Sequence, residues 1–244
     1  VTSTGALTAN TGSVYTNAVN GTLTLNGTIE AEKDVKALAN GKLKHEGGFI
    51  NTKNGNVLLR SESGSLSNTG SIVGKQITLD AWDSIAGSAL GNADANTNNQ
   101  YVLLAKDSDG TLLVRSGNGD ITLDEGAIFG AKGNLVLEAK GNLTNNGQSL
   151  NAVHGDLTLK ANTGAIENKG ILRAGKDIVL TAEGNVESTG DLTAKTGSVY
   201  TNAVNGTLTL NGTIKAEKDV KALANGNVKH EGGFINAKNG NVLL

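Results

Sequence analysis

Short stretches in which apolar and polar residues alternate recur along this chain about every twenty residues. Ile77 and Leu79 stand apart by one residue in QITLDA, and Ile178 and Leu180 hold the same places in DIVLTA. This period of two is the mark of a strand with one buried face. Two longer segments show the unit: GSLSNTGSIVGKQITLDA at 64–81 and GAIENKGILRAGKDIVLTA at 164–182. A short strand carries Leu66 or Ile166. A glycine turn follows, then a second strand with Ile72 or Leu172. Another turn leads to a third strand with Ile77 and Leu79, or Ile178 and Leu180. No stretch holds an i, i+3, i+4, i+7 stripe long enough for a helix.

The first apolar residue of each unit gives the series Val1, Leu23, Leu43, Leu66, Ile85, Ile121, Leu143, Ile166, Val186, Leu208 and Val228. The gaps are 19–23 residues, with one of 36 between Ile85 and Ile121. Three short strands per period, joined by Gly- and Asn-rich turns, predict an all-β fold. It is a right-handed parallel β-helix of about eleven coils. At about 4.8 Å per coil the rod is on the order of 50 Å long. A single coil buries too little to stand alone, so stability must come from stacking.

Turn residues refine this picture. Nine glycines, from Gly5 to Gly232, fall four residues after the first apolar residue of a coil, and Gly126 falls five after Ile121. Corners that need positive φ account for them. Asn68, Asn145 and Asn168 stand two residues after it, and their side chains are expected to point inward and bond corner backbone groups. The long gap contains GNADANTNNQ (91–100) and YVLLAKDSDGTLLVRS (101–116). It predicts an insertion at 91–116, in which 101–116 reads as a β-hairpin around Asp107-Ser108-Asp109-Gly110. Either that hairpin projects from the rod, or one of its strands serves as the third strand of the coil.

A longer repeat overlies the short one. Residues 1–59 recur at 186–244 with seven differences: Thr2/Glu187, Ala6/Asp191, Asn10/Lys195, Glu30/Lys215, Lys42/Asn227, Leu43/Val228 and Thr52/Ala237. A globular enzyme has little use for such copies, whereas a stacked rod accepts any number. The coil pattern also runs into both ends, so the chain reads as one β-helix segment, 1–244, of a longer filament.

Composition narrows the function classes. With 34 Gly, no Pro, Cys or Met and 3% aromatics, the interior must be narrow and aliphatic. The absence of cysteine excludes disulfides and thiolate metal sites. A net charge of −2 with scattered Lys and Glu leaves no basic stripe for nucleic acid. No apolar stretch approaches the ~20 residues of a membrane span.

The coil G-x-[LIV]-x-[NHL]-x-x-G-x-[LIV]-x-A-x-x-[DN]-[LIV]-x-[LIV]-x-A resembles the repeat of filamentous haemagglutinin, with 164–194 a close match in style. That family comprises bacterial two-partner-secretion exoproteins, both adhesins and contact-dependent growth-inhibition proteins. The resemblance implies the shaft of a secreted filament on the bacterial outer cell surface. It also implies an outer-membrane transporter as partner during secretion, and a receptor on a host or neighbouring cell. It supplies no catalytic residue and no cofactor.

The chemistry-bearing residues agree. Some β-helices are polysaccharide lyases or glycosidases, which need clustered acids and a basic residue in one groove. Asp120, Asp124 and Glu125 lie together, but a solvated face explains them. Arg60, Arg115 and Arg173 fall at strand ends, where Arg snorkels over apolar surface. His45 and His230 recur through the duplication, His154 sits in a turn, and none lies at metal-ligand spacing. Neither enzyme activity, metal nor cofactor is expected. The residues that suit a partner are Trp82, Tyr101, Asp107 and Asp109, in or beside the insertion.

Overall fold

The computed structural model describes residues 1–87, 103–124, 128–147 and 149–244. Every regular element among them is a β-strand. In the coil that begins at Ile166 the three strands are Ile166–Asn168, Leu172–Ala174 and Ile178–Ala182. Each lies parallel and in register between its counterparts one coil before and one after. Ile166 sits between Leu143 and Val186, Leu172 between Leu150 and Leu192, and Ile178 between Leu157 and Val199. The chain is a parallel β-solenoid with three strands per coil.

The third strands form an eleven-stranded sheet, and the first and second share a twenty-stranded one. They share it because two coils, through Leu23–Ala31 and Leu43–Thr52, stay extended around the corner between first and second strand. The second of these carries one extra residue there. Its Gly47 and Gly48, both at φ +77°, absorb the register shift.

Alternation sends every second residue of a strand inward. Ile178, Leu180 and Ala182 are fully buried, while Val179 and Thr181 between them are half-exposed. The interior is one continuous aliphatic column. Burial of each Val, Leu or Ile contributes about 1.5–3 kcal/mol. The second inward place of the middle strand is Ala in most described coils, and departures from it are matched above. Thr52 stands there in one coil, with Gly74 over it; a Cβ on Gly74 would lie 3.1 Å from Thr52 Oγ1. Gly87 likewise leaves room for the Phe129 ring, 3.5 Å from where its Cβ would be.

Asp and Asn before the strands act as corner ladders. Asn134 Oδ1 accepts the Asp156 N–H at 2.9 Å, Asp156 Oδ1 that of Asp177 at 3.0 Å, and Asp177 Oδ1 that of Ser198 at 2.7 Å. Asn142 and Asn211, both in Asn-x-Thr or Asn-Gly-Thr turns, cap Ala165 N–H and Glu231 N–H in the same way. Each coil thereby satisfies corner donors of the next.

Two expectations are corrected. Most of the phased glycines do not have positive φ; among those described, Gly47 and Gly147 clearly do, and Gly70, Gly170, Gly190 and Gly212 do not. They are glycines because coils touch there: a Cβ on Gly190 would collide with Gly170 O, and one on Gly212 with Gly190 O.

The second correction concerns 103–116, which is no projecting hairpin: the alternative holds in which one strand of the segment, Leu112–Ser116, is the third strand of its coil, but the other is a rod strand as well and not loop. Leu103–Ala105 pairs with Ile72–Gly74 and Phe129–Ala131, and Leu112–Ser116 with Ile77–Ala81 and Leu135–Ala139. Both are strands of the rod. A projecting hairpin would leave Leu103, Ala105, Leu112 and Val114 in water, whereas here all four are buried. The remainder of the predicted insertion, 91–102, lies outside the described residues.

Candidate functional site

Register brings together residues that are far apart in sequence. The fourth, outward position of the third strands reads Leu38, Arg60, Asp80, Arg115, Glu138 and Lys160 on six successive coils. Charge alternates through the last five. Arg60 Nε donates to Asp80 Oδ2 at 2.9 Å. Arg115 Nε and Nη2 donate to Asp80 Oδ1 and Oδ2 at 3.0 and 3.1 Å, a bidentate fork. Lys160 Nζ and Asn162 Nδ2 donate to Glu138 Oε1 at 3.3 and 3.1 Å. The hydrogen bonds that Arg115 donates to Asp80 hold its guanidinium above its ordinary pKa. Asn162, with Lys160 and Arg115 helping against desolvation, holds Glu138 below its own.

These arginines are not at strand ends as the sequence suggested; they stand one place inside, each tied to one carboxylate. Asp80 is nearly buried by them, with its side chain 13% exposed. Sequence reading missed the ladder because Arg60, Asp80 and Arg115 are 20 and 35 residues apart. Aligning the third strands on their buried positions and reading the fourth residue would have found it.

Trp82 follows the Ile77–Ala81 strand and projects beside this ladder, 57% exposed. Arg60, Glu62, Asp80, Arg115 and Gly117 line a surface groove of about 410 Å³ with it. On the next coil Gly117 offers no side chain, and a Cβ there would lie 3.7 Å from Trp82 Cε3. Gly117 therefore puts no side chain against the indole on that side.

No family model, curated protein or solved structure matches this chain. The site must therefore be read from its own chemistry.

The other residues picked out by sequence are not part of it. Asp107 and Asp109 lie in the corner that precedes Leu112–Ser116, at the opposite edge of the eleven-stranded sheet from Trp82. Asp107 O accepts the Gly110 N–H at 2.9 Å, a local turn. Tyr101 and Glu125 lie outside the described residues. Next to Asp107, Lys106 reaches across two coils to donate to Thr52 O at 2.5 Å. Burial, then the neighbouring Lys75, lowers its pKa.

A second polar group sits inside the rod. Asn145 Nδ2 donates to Asn168 Oδ1 at 2.7 Å, and Asn168 Nδ2 to Gly170 O at 2.9 Å and Ser188 Oγ at 3.0 Å. Asn68 Nδ2 bonds Gly70 O at 2.9 Å. The inward corner asparagines therefore do what the sequence led us to expect, and also bond from coil to coil. Among the described residues no group of three or more His, Cys, Asp or Glu could hold a metal ion. No helix is long and apolar enough to cross a membrane.

Proposed function

We propose that this chain is a shaft segment of a secreted or cell-surface bacterial filament, and that it holds a distal adhesive or toxin-delivery region away from the producing cell. The observation that carries this reading is the equivalence of the two copies within the rod. Val14–Ala18 pairs with Val35–Ala39 in the register with which Val199–Ala203 pairs with Val220–Ala224. A unit of 185 residues can thus follow itself without disturbing the core. A molecule whose task is reach benefits from such a unit. The resemblance to filamentous haemagglutinin repeats points the same way, and adds the outer-membrane transporter and the cell-surface receptor as partners. The reading assigns the rod no catalytic step.

Two measurements test it. A chain in which residues 60–244 are followed by a second copy of 60–244 should form a rod longer by eight coils, or about 38 Å. Small-angle scattering reads that length; an unchanged or collapsed particle would count against a tiling shaft. Antibodies to 1–244 should label the outside of intact producing cells. Labelling only after permeabilisation would remove the surface assignment.

A second reading places receptor or glycan contact in the 91–116 insertion. Since 103–105 and 112–116 belong to the rod, the deletion that probes it is 91–102. Loss of target-cell binding with secretion intact would support it.

A further inference from the structure

We propose that the Trp82 groove is a binding subsite for an uncharged sugar ring within a glycan. It is built from three coils of the rod, so it needs neither residues 91–102 nor a distal tip.

Several observations converge on this ligand class. Trp82 is the only tryptophan in a chain with 3% aromatics, and it is more than half exposed beside a row of charged residues, Arg60, Asp80 and Arg115. An exposed indole offers a flat apolar plate with no rotamer-rich chain to order. No side chain covers the plate at Gly117, where a Cβ would lie 3.7 Å from Trp82 Cε3. Groups beside the plate are fixed: both guanidiniums are pinned by Asp80 at 2.9–3.1 Å. Pinned donors lose little freedom when a ligand arrives.

Charge selects the ligand further. Arg60 and Arg115 are opposed by Asp80 and Glu62 in the same groove, so its formal charge is zero. A polyanion would find two cations already committed, and a cation would meet two arginines. A neutral pyranose has what remains to be matched. Its C–H face suits the indole, and its hydroxyls both donate and accept, which suits a mixed rim of guanidinium and carboxylate. The volume of about 410 Å³ falls toward the low end of the roughly 300–1,000 Å³ range of small-molecule sites. Its openness to one side admits one unit of a longer chain.

The lone indole makes the test direct. Tryptophan emission of the intact 1–244 chain would be followed during titration with neutral hexasaccharides of glucose, xylose, mannose and N-acetylglucosamine, and with galactose- and fucose-terminated glycans. Heparin and polysialic acid form the anionic arm. We expect at least one neutral glycan to give a saturable shift with Kd below about 1 mM. Calorimetry on Trp82→Ala, whose circular dichroism should match the parent because the side chain is exposed, should show that binding lost. Asp80→Asn, which loosens both arginines, should weaken it at least ~10-fold. Three results would overturn the proposal: no neutral glycan saturating the signal, only the polyanions binding, or Trp82→Ala binding as well as the parent.

Discussion

His45 donates its Nδ1–H to Asn68 Oδ1 at 2.6 Å inside the rod, and its Nε2 has no partner there. The ring is wholly buried, and the coil above makes room for it with Gly70, where a Cβ would lie 2.7 Å from Nε2. Protonation would place a second N–H where no acceptor waits. Burial accordingly holds the His45 pKa below its usual value, against the smaller opposing effect of Asn68.

The consequence for stability has a definite sign. Unfolded, His45 titrates near 6.5, and folded it titrates lower. Between the two values the unfolded chain binds more protons, so acid favours unfolding. The stability is complete above about pH 6.5 and is lost as pH falls through the folded value, by up to about 1.4 kcal/mol per pH unit. Urea midpoints from pH 7.5 down to 5 should fall more steeply for the parent than for His45→Asn. Asparagine occupies this place in three other coils and does not titrate. Equal slopes would mean that the ring is not held neutral by the core.

Gly5 and Gly190 are the same residue in two nearly identical segments, yet they differ in what lies beneath. A Cβ on Gly5 meets nothing within 4 Å, while one on Gly190 would run into Gly170 O. Gly190→Ala should therefore lower stability by about 1–3 kcal/mol through backbone displacement. In the 1–244 chain, where no residue lies below it, Gly5→Ala should be close to neutral. The paired melting curves compare one substitution in one sequence context with and without a coil below. Similar losses at both positions would return the explanation to backbone φ.

That pair also explains how much of the molecule was legible beforehand. Strand places and the period came from Leu, Ile and Val, because inward positions admit little else and announce themselves by alternation. The inward asparagines of the corners were legible because Asn68, Asn145 and Asn168 recur at one phase, two residues after the first apolar position. The reason for the glycines was not, because a carbonyl one coil away leaves no trace in local sequence. The segment 101–116 was misread for a related cause. Leu103–Ala105 and Leu112–Ser116 carry the same period of two as a hairpin, and only their partners on neighbouring coils separate the two. At the candidate site Trp82 stood out by rarity. Arg60 and Arg115 did not, because only register brings them to Asp80.

Asp80 holds the centre of the charge ladder, and its removal should cost more than removal of either arginine. Arg60 and Arg115 side chains are 41% and 47% exposed, so solvent screens what each contributes. Arg60→Ala is expected to cost at most about 1 kcal/mol, and less still in 1 M salt. Asp80→Ala leaves two guanidiniums with no carboxylate between them and should cost about 1–3 kcal/mol. Denaturation at low and high salt measures both. If Asp80→Ala and Arg60→Ala destabilise equally, the ladder is a set of independent surface pairs and holds nothing rigid.

Asn168 links three coils from inside, bonding Asn145, Ser188 and its own corner carbonyl at Gly170. Leucine is a native choice at the equivalent place in other coils, as Leu25, Leu123 and Leu210 show, so Asn168→Leu fits the aliphatic column by size. It nevertheless removes the bonds that Asn168 makes with Asn145 Nδ2 and with Gly170 O, and should cost about 1–3 kcal/mol. Replacing Asn145 as well removes the other amide of the Asn145–Asn168 bond. The double variant Asn145→Leu/Asn168→Leu should then be less destabilised than the sum of the two single changes, because apolar groups replace both ends of the bond. Strict additivity in a double-mutant cycle would mean that the two amides do not act on each other, and that each asparagine serves only the corner of its own coil.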